Sequence, residues 1–95
     1  MATSISSGLK SADALIATGR NRINAIILNG DGTNAASVTI YDNTSASGKV
    51  VDKVTIGANH VHGDQHIFTN PILCENGIYA DVTGTGAEYV IFFGG

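Results

Sequence analysis

Three imidazoles crowd one short stretch of this chain, Asn59-His60-Val61-His62-Gly63-Asp64-Gln65-His66. On an extended strand, His60 and His62 project from one face about 6 to 7 Å apart, close enough to ligate one metal ion. At the three-fold axis of a homotrimer, three copies of that pair would offer six imidazoles to an octahedral ion. Protonation of the same rings near pH 6 would instead loosen an assembly. A plain polar loop or strand edge explains the cluster without any of this chemistry. The expectation is therefore no resident metal and no cofactor, with His60 and His62 kept as a candidate axial pair.

Other catalytic arrangements have less material. No Ser sits in a Gly-x-Ser-x-Gly elbow. Asp42, Asp52, Asp64 and Asp81 are well separated, and each suits a turn or a wet strand face. Asp31, in Asn29-Gly30-Asp31-Gly32, lacks the ligand spacing and closing Glu of a calcium loop. The lone Cys74 can form no internal disulfide and reads as a small buried hydrophobe. Gly57 followed by His-x-His is similar to the first metal motif of cupins, which are double-sheet β proteins. The carboxylate that motif needs is replaced by His66, and no further His follows. The chain is expected to be no enzyme and to have no catalytic residues.

The composition bounds what could position such groups. A chain of 95 residues is one domain, 1–95. Only 14% of residues are charged, against roughly 25% in ordinary soluble domains, so the surface repels neighbours weakly. The net charge of -3 and pI near 5.3 provide no basic stripe for phosphates, which argues against nucleic acid. The apolar runs at 26–28 and 90–93 fall far short of the roughly 20 residues of a membrane span. The N-terminus lacks the regions of a signal peptide, so synthesis in a cytosol is expected. A domain this small buries only about 60 to 65% of its unfolded surface, and association would stabilise it.

The apolar pattern has the period of strands. Residues 36–41 put Ala36, Val38 and Ile40 on one face, and 78–83 do the same with Ile78, Ala80 and Val82. Residues 49–56 place Asp52 among Val50, Val54 and Ile56, which predicts a bulge near Val50-Val51 or an edge position. Two strands are apolar on both faces: 22–28, with Ile23, Ala25 and Ile27 against Ile26 and Leu28, and 88–93, with Val90 and Phe92 against Tyr89, Ile91 and Phe93. One face of each needs a second cover, from loops or from another subunit. Helix is marginal even at 9–17, the best candidate. Thr83-Gly84-Thr85-Gly86-Ala87 predicts a hairpin, and Pro71 a loop. The result is an all-β chain of six to eight short strands, a small antiparallel β-sandwich or jelly-roll-like fold, with 1–9 as an extended, flexible or docking arm.

Two stretches carry a resemblance: Val38-Thr39-Ile40-Tyr41-Asp42-Asn43-Thr44-Ser45-Ala46-Ser47-Gly48, and Asn76-Gly77-Ile78-Tyr79-Ala80-Asp81-Val82-Thr83-Gly84-Thr85-Gly86-Ala87. With the strand at 23–28, they resemble small virion proteins of tailed bacteriophages, particularly marine ones, over about 20–93. The resemblance implies a structural part of the particle, made in the host bacterial cytoplasm. It would be a capsid decoration (cement) protein, a homotrimer bridging capsomers on the major capsid protein. No catalytic residue comes with it, and the His cluster lies outside the pattern. In this reading Tyr89, Ile91 and Phe93 supply subunit contact, while Ile5 and Leu9 of the arm dock on the shell. The alternative is a fibre or tail accessory module that binds a host-surface receptor or glycan. Trp is absent, which leaves Tyr41 and Tyr79 as its stacking residues.

Overall fold

A computed structural model describes residues 4–60 and 62–94, which form eight strands: β1 (Ile5–Ser6), β2 (Ala14–Thr18), β3 (Asn21–Asn29), β4 (Ala36–Tyr41), β5 (Val50–Ile56), β6 (Asp64–Cys74), β7 (Gly77–Thr83) and β8 (Glu88–Phe93). No helix occurs among the described residues. Sheet A has the order β1-β8-β3-β6 and sheet B the order β2-β7-β4-β5, with every neighbouring pair antiparallel. The fold is therefore a β-sandwich, and the strand order is that of a jelly roll. Only β4 and β5 are consecutive strands paired in one sheet; the other connections cross between sheets.

Alternation holds where it was read most easily. In β4, Ala36, Val38 and Ile40 are buried and Ser37, Thr39 and Tyr41 half-exposed. In β5 the register slips between Ile40 paired with Asp52 and Tyr41 paired with Val50, which leaves Val51 as the bulge of an edge strand. The central strand β3 departs from alternation. Ile23 pairs with Phe93 and Ala25 with Phe92, so Asn24 is an extra residue that reverses the facing of everything after it. Ile23, Ile26 and Leu28 are all buried, and Ala25 and Ile27 turn outward. On the other side of β3, Phe68, Thr69, Asn70 and Pro71 stand opposite Asn24. Pro71 thus lies in a bulged part of an edge strand, where its missing N–H breaks no ladder.

Several expectations are corrected. Residues 83–87 are no hairpin: β7 belongs to sheet B and β8 to sheet A, so this segment carries the chain across the sandwich. Gly84 makes the crossing fit, since its φ is +112° and a Cβ there would strike the Ala35 carbonyl oxygen and Ala36 Cα. The marginal helix at 9–17 contains β2 instead, whose bulge near Ile16 lets both Ile16 and Ala17 pack on the core. Within 1–9, residues 4–9 run along the edge of β8. Ile5 pairs with Phe93, the Ser7 N–H donates to the Ile91 carbonyl (2.8 Å), and Lys10 bridges to Tyr89.

The assignment of Tyr89, Ile91 and Phe93 to subunit contact is also corrected. Tyr89 and Ile91 are 0% exposed and Phe93 packs against the core. The physical reason is pairing: these residues lie opposite Leu28, Ile26 and Ile23, which face sheet B. Tyr89 spends its one polar atom inside the fold, its hydroxyl donating to the Ala12 carbonyl at 2.7 Å. Replacing Ile91 by Ala is expected to lower folding stability by about 2 to 5 kcal/mol through the cavity it leaves. Urea unfolding followed by circular dichroism measures that loss; an unchanged midpoint would contradict the burial of Ile91.

Candidate functional site

The imidazole cluster is divided by the fold. His60 and His62 lie exposed in the β5–β6 connection, not on a strand, so the same-face geometry expected of them does not arise. They line a cleft of 280 Å³ with Thr55, Gly57 and Asp64. The loop is pressed onto the end of β3, where a Cβ at Gly63 would collide with Asn29 Oδ1 and the Leu28 carbonyl oxygen. His66 sits apart, on β6, opposite the buried Ile26. Its Nδ1 lies 2.7 Å from Asp52 Oδ2, and its ring meets Phe68 edge-on with centroids 6.5 Å apart. β5 and β6 are the edge strands of the two sheets, so the Asp52–His66 pair spans the open side of the sandwich. Among the described residues, no three His, Cys, Asp or Glu side chains gather as metal ligands.

The carboxylates are less scattered than the sequence suggests. Asp13, just before β2, reaches Asp81 on β7 and accepts the Val82 N–H at 2.8 Å. Burial, then the negative charge of Asp13, holds the Asp81 carboxyl above the usual carboxylate value, and a hydrogen bond between the two acids acts the same way. No spacing rule could reveal this pair, because its members are 68 positions apart and meet through the β2–β7 ladder. Asp31 closes a local turn, accepting the Thr33 and Asn34 N–H groups at 2.9 and 2.8 Å.

Asp42 is the one buried charged residue among those described. Its carboxylate accepts the Asn76 N–H at 2.8 Å and the Glu75 N–H at 3.1 Å, so it holds the β6–β7 turn from the start of the β4–β5 loop. Burial raises the carboxyl's pKa, but the amides of Asn76, Glu75 and Gly77 outweigh it and the net shift is downward. Cys74 lies beneath this turn, wholly buried, with its thiol pushed up to about 11 by burial and then by the charge of Asp42. At the far end of β3 from His60 and His62, a smaller cavity of 180 Å³ is lined by Arg20, Arg22 and Leu73. Among the described residues no buried side-chain nitrogen or oxygen lacks a hydrogen-bond partner.

The outer faces of the two sheets are the remaining candidates, and they differ. On sheet A, one row runs Ser6, Phe92, Ala25 and Ile67 across all four strands, and the next runs Val90, Ile27 and Gln65. Phe92, Ala25, Val90 and Ile27 are half-buried, and Ile67 is 68% exposed. On sheet B, Leu15, Tyr79, Tyr41 and Val50 form a row across its four strands, followed by Asp81, Thr39 and Lys53. Comparison with family models, with curated proteins and with solved structures gave no match.

The buried ionisable groups predict how stability follows pH. Asp42 ionises more readily folded than unfolded, so its contribution is complete above the ordinary value of 3.8 and is lost as pH falls below it. Cys74, raised from 9.0 to about 11, and Tyr89, raised from 10.0 to about 12 by burial, act in the opposite sense. Their contribution is complete below the unfolded values and is lost as pH climbs through the folded ones. Urea midpoints are expected to fall below pH 4 and again from pH 9 to 12. Asp42→Asn should flatten the acid limb and cost about 1 to 3 kcal/mol at neutral pH, since an amide oxygen cannot replace both carboxylate acceptors.

Proposed function

We propose that this chain is a structural subunit of a tailed-phage virion, a capsid decoration protein that docks on the major capsid protein and stabilises the head by bridging capsomers. The observation that carries this reading is apolar surface left outside a completed core. The outer face of sheet A is aliphatic and aromatic in its middle rows, and the arm beside it leaves Ile5 55% and Leu9 60% exposed. Such surface is costly in a free monomer and is expected where a chain is held against neighbours. Jelly rolls serve viral capsids, lectins and cupins alike, so the topology is compatible with the reading without selecting it.

A decoration protein works by mass action. Binding only the assembled shell raises the free energy of taking it apart, by about 2.7 kcal/mol per site when free protein stands at 100 times its dissociation constant. The arm is the part offered to the shell, because Ile5 and Leu9 lie outside the core and can be covered without disturbing it.

The tyrosine row of sheet B favours a second reading, a fibre or tail accessory module that binds glycan. Tyr41 and Tyr79 are paired across β4 and β7, with Thr39, Asp81 and Lys53 one row away as partners for hydroxyl groups.

Co-sedimentation of the purified protein with full heads and with isolated tails separates the two. Binding to heads, with a higher temperature of genome release, is expected. Ile5→Asp combined with Leu9→Asp should leave circular dichroism unchanged and weaken head binding at least about tenfold. Retention by tails alone, or by neither particle, would remove the decoration reading.

A further inference from the structure

The outer face of sheet A has a charge pattern that bears on what covers it. Ser6, Ala25, Ile27, Gln65, Ile67, Val90 and Phe92 carry no formal charge. At one end stands Arg22, paired with Leu73, and at the other Glu88, paired with Asn29; both are exposed. They are about 20 Å apart along the sheet, six paired positions at about 3.3 Å each. A face with an uncharged apolar middle and opposite charges at its two ends is complementary to itself turned end for end. A copy placed over it by a two-fold axis brings Arg22 of each chain toward Glu88 of the other, and lays the middle rows on one another.

The area suits a weak contact. The strands of sheet A hold 2, 6, 9 and 11 residues, and at about 3.3 Å by 4.8 Å per residue each face offers roughly 440 Å² of flat area. Two such faces cover about 900 Å², the size of a weak, reversible association. Ile67, on edge strand β6, and Ile5, on the opposite edge, stay exposed in the single chain. A two-fold axis lying along the strands sets the β6 edge of one chain near the β1 edge of the other and so would cover Ile67 as well, but it would not reverse the ends. The terminal charges therefore select the axis that runs across the strands, in the plane between the two faces.

We infer that the outer face of sheet A is a self-association surface, through which two copies of this chain pack face to face about a two-fold axis that reverses the strand ends. The inference rests on reading the chain as an assembly subunit, and it departs from the three-fold arrangement that the resemblance implies. It leaves the row Leu15, Tyr79, Tyr41 and Val50 on sheet B outside the contact.

Light scattering or native mass spectrometry of the full chain tests it. The expected mass at tens of micromolar is about 20 kDa, twice the 9.8 kDa of one chain, with dissociation on dilution as suits a contact of this size. Phe92→Lys should give a folded monomer. Ile67→Lys, at a position too exposed to affect the core, should weaken the dimer at least about tenfold, whereas Leu15→Lys on sheet B should leave it unchanged. Glu88→Lys should weaken it, and adding Arg22→Glu should restore it. A wild-type monomer at about 100 μM, a trimer, or a dimer that survives Phe92→Lys would each overturn the assignment. Head co-sedimentation is read separately, so failure of the dimer leaves the decoration reading standing and the reverse also holds.

Discussion

The sandwich depends on one irregularity in its central strand. β3 runs between β8 and β6, so its facing sets the facing of sheet A. Strict alternation through 22–28 would bury Ile23, Ala25 and Ile27 or else Ile26 and Leu28, but not Ile23 together with Ile26 and Leu28. The extra residue at Asn24 lets Ile23, Ile26 and Leu28 all turn inward. It also ties in the arm: Asn24 Nδ2 donates to Ser4 Oγ at 2.8 Å. Once β3 is set, pairing sends Tyr89, Ile91 and Phe93 into the core and Val90 and Phe92 out. A single-residue shift thus decides which apolar surface fills the core and which stays on the outer face.

The polar groups follow the same economy of place. Asp42 binds two backbone amides of a distant turn, His66 and Asp52 span the open edge, and Tyr89 anchors the chain leading into β2 through the Ala12 carbonyl. Each lies where two segments far apart in sequence come together, and each satisfies donors or acceptors that burial would otherwise penalise. The outer faces of the two sheets differ: that of sheet A is apolar with charge only at its ends, and that of sheet B carries tyrosine, hydroxyl and carboxylate groups.

Much of this was legible beforehand, because a half-buried strand writes its burial into its alternation. β4, β5 and β7 were readable for that reason, as was the irregularity at Val50-Val51, where Asp52 broke an apolar parity; β3 and β8, apolar on both faces, were legible as strands but not in which face turns inward. β2 and β6 were not. β2 is short and bulged, and β6 swells to four residues opposite one, so neither keeps a period of two long enough to recognise. The segment 83–87 has the residues of a tight hairpin, yet turn chemistry reports only that the chain reverses, not which sheet receives it.

The chain's composition and local period determined that this is an all-β protein of six to eight strands with more apolar surface than one core requires, since those properties follow from side-chain type and spacing alone. Which of two apolar faces points inward, and which acids and imidazoles meet, only the tertiary structure decided. Those outcomes turn on one inserted residue and on pairings between distant segments, such as Ile23 with Phe93, 70 positions on, and Asp13 with Asp81, 68 positions on, which no local pattern encodes.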